Sequence, residues 1–108
     1  MSRAIAIVLV TAPDDDRAEA WAHTLVEERL AACVNVHGPM TSIYRWRGVV
    51  ERAVERQLVI KTALDRVEAL KTRLGTLHSY ELPEVLVLHV NEGSDAYLAW
   101  VIDQTRPG

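Results

Sequence analysis

The stretch Ala31–Thr62, AACVNVHGPMTSIYRWRGVVERAVERQLVIKT, constrains this chain more than any other. β-branched and aromatic residues flank Arg47-Gly48, which fits a two-residue hairpin turn in which glycine supplies the positive φ. With Trp46 opposite Val49, each arm runs for about 15 residues, or roughly 50 Å at ~3.3 Å per residue. A compact chain of this length has a radius of gyration near ~13 Å, hence a diameter of only about 34 Å. The hairpin is too long for its own body. Either it bends sharply or its tip reaches another molecule.

Gly38-Pro39 interrupts the first arm. Proline donates no backbone hydrogen bond, so a bulge or bend on an edge strand is expected there. Without a bulge, Cys33 would face Thr62. Ahead of the hairpin, the apolar run Ala4–Val10 reads as a central strand ended by Thr11-Ala12-Pro13. Asp14, Asp15 and Asp16 put negative charge where a helix begins. Ala18, Trp21, Ala22, Leu25, Val26 and Leu30 then recur at helical spacing for about four turns. After the hairpin, Leu64-Asp65 opens a second helix, with Asp65 as N-cap and Glu68 three residues on. Its buried stripe is Val67, Leu70, Leu74 and Leu77. The loop His78–Pro83 leads into a short strand, Glu84–Val90, and Ser94 caps a last helix whose Tyr97, Trp100 and Val101 are expected to face inward.

Strand, helix, long hairpin, helix, strand, helix is the order of a single α+β domain. Two split βαβ units sharing one antiparallel sheet, with helices on one face, make the ferredoxin-like arrangement. The extra C-terminal helix is left to cover an edge or to dock on a neighbour.

Charge narrows the function. A net charge of −3 argues against nucleic-acid binding, which favours basic domains. Arg45, Arg47, Arg52 and Arg56 do cluster, but Glu51 and Glu55 interleave with them as on a solvated hairpin tip. A single cysteine forms no intrachain disulfide and suits a reducing compartment. Neither a secretory leader nor a stretch of the ~20 apolar residues of a membrane span is legible, so a cytoplasmic setting is expected. No glycine-rich phosphate loop, GxSxG elbow, HExxH helix or Cys/His zinc set is present, and no enzymatic role is expected.

Six segments, in order along nearly the whole chain, resemble the CutA family of divalent-cation tolerance proteins. They are VTAP at Val10–Pro13, LVEERLAACVNV from Leu25, SIYRWRG from Ser42, VIKT from Val59, HSYELPE from His78 and YLAW from Tyr97. The resemblance implies a ferredoxin-like fold assembled as a homotrimer, with the long hairpins reaching neighbouring subunits. It also implies a link to tolerance of copper and other divalent metals, without an established reaction. The trimer of that family is similar to nitrogen-regulatory signal proteins, which bind small effectors in clefts between subunits. Two positions depart from the pattern. Val10 stands where some members carry a cysteine implicated in copper binding, and Leu77-His78-Ser79 replaces a paired-histidine–proline segment.

Several residues are candidates for chemistry. His78, Glu81 and Glu84 offer one imidazole and two carboxylates three and six residues apart, a donor set suited to a divalent cation such as copper. The alternatives are that Glu84 binds backbone and that the His78 ring caps the second helix's C-terminus. Lys61 lies inside an apolar strand, where lysine is rare unless paired or aimed into a cleft. It is expected either to pair with Glu81 or Glu84, or to contact a small anionic ligand in an inter-subunit cleft. Asn35, Tyr80, Trp100 and Cys33 would share that cleft. Cys33 is otherwise a small buried hydrophobe. Tyr44 and Trp46 share strand parity near the hairpin tip and are expected to pack at the trimer interface. Three functions follow: a divalent-metal tolerance trimer with weak or no intrinsic metal affinity, a small-molecule sensor with inter-subunit clefts, or a structural trimer that anchors another protein.

Overall fold

A computed structural model describes residues 4–108. Strand β1 (Ile5–Pro13) leads into helix α1 (Arg17–Glu27), and the long hairpin follows as β2 (Cys33–Trp46) and β3 (Val49–Ala63). A single 3-10 turn, Leu64–Arg66, precedes α2 (Val67–Leu77), and β4 (Val85–Val90) and α3 (Asp95–Gln104) complete the chain. The four strands form one antiparallel sheet in the order β2-β3-β1-β4, which is the ferredoxin-like topology.

Alternation along each strand divides the sheet into two faces. Ala6, Val8, Val10 and Ala12 of β1 point to the helices, as do Leu58 and Ile60 of β3, and pack against Ala18, Trp21 and Leu25 of α1 and Leu70 and Leu74 of α2. Each fully buried leucine in this layer contributes about 1.5–3 kcal/mol. The other face carries Ile5, Ile7 and Leu9. Helix α3 covers one end of it, where Val101 buries against Ile5 and Ala32 and is flanked by Val90, Leu98 and Ile102.

The arms reach the expected length. Trp46 pairs with Val49 across Arg47 and Gly48, both at positive φ (51° and 80°), as a two-residue hairpin turn with the strands' own twist requires. Strand β1 stops accompanying β3 at Pro13–Glu55, so everything beyond is a two-stranded ribbon, and the molecule measures 47 × 25 × 22 Å. Proline at the end of β1 needs no ladder donor, so β1 runs through Thr11-Ala12-Pro13 and does not stop before it.

A bulge lies at Gly38-Pro39. His37 pairs with Gln57 and Met40 with Glu55, so two residues of β2 oppose Arg56 alone. The offset shifts the base of the hairpin by one residue, and Cys33 therefore faces Lys61 instead of Thr62. Thr62 is fully buried and donates to the Leu30 carbonyl at 2.8 Å.

Three local expectations change. Helix α1 stops a turn early because Arg29 turns left-handed (φ 61°) while Leu30 N–H bonds to Leu25 O (2.9 Å) and Arg29 N–H to Val26 O (3.1 Å). That is a Schellman end made without glycine. Asp65 makes no capping hydrogen bond, because the chain enters α2 through the 3-10 turn. Ser94 does cap α3, accepting from Tyr97 N–H at 3.4 Å, but Tyr97 and Trp100 are 41% and 42% exposed. Their rings lie against each other on the helix's flank, centroids 5.6 Å apart, while Leu98, Val101 and Ile102 take the inward positions.

Candidate functional site

The face turned away from α1 and α2 can be read in rows from the strand register. Cys33, Lys61, Ile7 and Leu88 form one row, and Asn35, Val59, Leu9 and Leu86 form the next. Helix α3 stops at the row before these, around Ile5 and Val90. Cross-strand neighbours sit about 5 Å apart, so Cys33 and Lys61 are adjacent and Asn35 is diagonal to Lys61. The Lys61 ammonium donates to Asn35 Oδ1. Tyr97 on α3 lies close enough to Cys33 to feel it. Burial, and secondarily the Cys33 thiol, push the Tyr97 phenol above its ordinary value.

Cys33, Asn35 and Lys61 therefore come together, as the sequence proposed. Tyr80 does not join them within one chain. It sits beside Glu55, six residues and about 20 Å along β3 from Lys61. Trp100 lies against Tyr97, which in turn is near Cys33.

The proposed metal trio is dispersed. His78 Nε2 lies 2.6 Å from the Thr11 carbonyl, while Nδ1 accepts the Tyr80 backbone N–H at 3.2 Å. This pattern assigns the ring proton to Nε2 and leaves neither nitrogen free. Trp21 and Tyr80 hold the ring from two sides, with centroids at 4.7 and 4.5 Å. The residue occupies the C-cap position of α2, yet its ring stabilises β1 and not the helix end. Glu81 takes both its hydrogen bonds from Arg47 at the hairpin tip (2.9 and 3.0 Å), and Glu84 accepts from Gln57 at 3.0 Å. Among the described residues, no three His, Cys, Asp or Glu side chains are grouped to hold a metal ion. Neither Glu81 nor Glu84 pairs with Lys61, so that ion pair is not formed.

Sequence reasoning missed what fastens the loop 78–83. The Tyr80 ring lies near the Glu55 carboxylate, and burial first, then that neighbouring carboxylate, raise its phenol above the ordinary value. Glu55 is itself only 8% exposed, not part of a solvated tip. Arg17 donates to Ser79 Oγ at 3.1 Å while chelated by Asp15, whose carboxyl these hydrogen bonds lower to about 2. Glu55 stands in a charged stretch with Glu51, Arg52 and Arg56, so no local pattern set it apart. Nothing local marked its partner.

Beyond the bulge, the ribbon exposes apolar side chains on both faces. Ile43, Val50 and Val54 lie on one, at 64%, 61% and 44% exposure, with Tyr44, Trp46 and Val49 on the other. The Arg47 guanidinium lies over the Trp46 ring at 5.3 Å.

Fold and site together define a small ferredoxin-like α+β protein with an overlong central hairpin and an unfinished sheet face. The CutA1 divalent ion tolerance protein family matches residues 6–104. The divalent-cation tolerance protein CutA of Thermus thermophilus is 44% identical over 99 residues, covering 92% of this chain and 96% of the relative. The solved structure of the divalent cation tolerance protein from Thermus thermophilus superposes with a TM-score of 0.90, covering 94% of this chain and 98% of that one. The solved PII-like protein CutA from Nostoc sp. PCC 7120, in apo form, gives a TM-score of 0.89 at 37% identity, covering 95% and 99%. The chain belongs to the CutA divalent ion tolerance family.

Proposed function

We propose that this protein acts as a homotrimer in tolerance of divalent metal ions such as copper, without catalysing a reaction. The observation that carries the assembly is the ribbon beyond Pro13–Glu55, apolar and exposed on both faces. A free two-stranded hairpin is marginal in water, and a patch of this kind marks an interface. The family membership supplies the metal connection. Light scattering on the purified protein tests the assembly. A mass of three 12.1 kDa chains is expected, and a monomer at micromolar concentration would refute it.

In this reading the chain's own affinity for metal is weak, because His78, Glu81 and Glu84 would each surrender a hydrogen-bond partner to become ligands. Copper titration followed by calorimetry should give the same weak signal for the wild type and for His78→Ala. Tight binding lost in that variant would overturn the claim. The unpaired Cys33 suits a reducing compartment, so the reading takes the cytoplasm as its setting. Among the described residues, no helix is long and apolar enough to cross a membrane.

A second reading is favoured by Lys61, a cation on an apolar sheet face whose bonded partner is the neutral Asn35. It makes the trimer a sensor of a small anionic ligand at the unfinished face.

A further inference from the structure

Helix α1 carries a donor set that neither the core nor the loop 78–83 uses. Glu19, His23 and Glu27 are spaced four residues apart, so they rise one above another on a single flank of the helix. His23 Nδ1 stands 3.3 Å from Glu27 Oε2, and both side chains are exposed. Of the four histidines in the chain, His23 is the one with a carboxylate oxygen at ion-pair distance among the described residues. His78, by contrast, has both ring nitrogens engaged by backbone.

That separation has a chemical meaning. Two ligands bonded to zinc at ~2.0–2.1 Å and set at the tetrahedral angle stand about 3.3 Å apart. The imidazole and the carboxylate are therefore already spaced as neighbouring ligands. The four-residue step that holds them is the one by which a helix presents paired metal donors. Glu19, one turn back, lines the same cavity of about 390 Å³, and one turn puts its Cβ about 5–6 Å from that of His23. The cavity floor is apolar, from Ala22, Val26, Val34 and Val36, and among the described residues its lining holds no lysine or arginine to compete for the carboxylates.

We infer that this flank of α1 binds one divalent cation of borderline hardness, zinc or copper. His23 Nδ1 and one Glu27 oxygen are its preset ligands, Glu19 supplies a third once its side chain rotates inward, and water completes the shell. One imidazole among carboxylates sets the class. Magnesium and calcium favour all-oxygen sites, and soft ions favour thiolate, which this flank lacks. The site is weak, because among the described residues no three such donors stand ready together.

The inference rests on the metal-tolerance reading for its purpose, and it gives the weak metal signal a place away from His78, Glu81 and Glu84. The test is calorimetric titration of the full-length protein, its mass measured beforehand, with zinc chloride and with magnesium chloride. Zinc should bind at least about tenfold more tightly than magnesium. His23→Gln and Glu27→Gln should each weaken zinc about tenfold or more, since even the outer-shell partners of a bound metal are worth that much. His37→Gln and His89→Gln should leave zinc binding unchanged. All four positions are exposed, so the unfolding temperatures without metal should stay close together. In NMR spectra the ring signals of His23 should move on zinc addition before those of the other histidines. Silence toward zinc, or magnesium binding as tight as zinc, would overturn the site. A weak zinc signal undiminished by His23→Gln would remove the site alone and leave the tolerance reading standing. Tight binding that persists in His23→Gln and is lost in His78→Ala would sink both.

Discussion

Gly38 offers the sharpest quantitative test of how the hairpin is built. Its φ is +124°, outside the range L-residues adopt readily, and a Cβ there would meet Arg56 Cγ at 3.0 Å, Arg56 Cα at 3.1 Å and the Glu55 carbonyl at 3.1 Å. Two of those three atoms belong to the backbone of the opposite strand and cannot swing aside. Gly48, at φ +80° in the turn, has no atom within 4 Å of the same position. The pair thus separates two effects. Gly48→Ala should cost only the backbone term, about 1–2 kcal/mol. Gly38→Ala adds crowding of about 1–3 kcal/mol to a backbone cost of about 1–3 kcal/mol, for a total near ~2–6 kcal/mol. Urea unfolding at one fixed protein concentration measures both, provided the m-values agree. If Gly38→Ala costs no more than Gly48→Ala, crowding at the bulge is not what demands glycine. The stakes extend to the candidate site. A hairpin that lost its bulge would slip by one residue and turn Asn35 from the open face to the helix face.

Other outcomes follow from single contacts. Arg29→Gly should raise stability by about 0.5–1 kcal/mol, because glycine takes the left-handed helix end without the Cβ penalty; a decrease in urea unfolding would refute this. Tyr80 has its phenol raised by burial and by Glu55, so its stabilising contribution is complete below the ordinary phenol range near ~10 and is lost as pH climbs through the folded value. Thermal unfolding should therefore decline above about pH 10 in the wild type and less steeply in Tyr80→Phe; parallel profiles would count against the burial argument. Trp46→Ala should cost about 3–5 kcal/mol if a neighbouring copy buries the ring. A variant that remains trimeric with unchanged stability would remove Trp46, and its same-face neighbour Tyr44, from the interface.

The architecture was legible because its signals are periodic and local. The unbroken apolar run Ala4–Val10 and a 3.6-residue stripe through Leu25 and Leu70 survive without knowledge of what they pack against. The hairpin's length followed from its turn alone. Where the reading slipped, a nonlocal constraint had intervened. Helix α1 ended early because Leu30 is pulled into the core beneath β3, where its carbonyl receives Thr62. Tyr97 and Trp100 stayed half exposed because α3 rests on Ile5 and Ala32 through Val101, a docking choice made by residues some 70–95 positions away.

The candidate site shows the same division. Spacing along the chain placed Lys61 and Asn35 on adjacent strands, but the one-residue bulge decided that Cys33, not Val34, shares the lysine's row. His78, Glu81 and Glu84 looked like a ligand set because they are close in sequence. A loop side chain, however, is oriented by whatever backbone lies beside it. Here β1 offers the Thr11 carbonyl, the hairpin tip offers Arg47 and β3 offers Gln57, and each takes one of the three away.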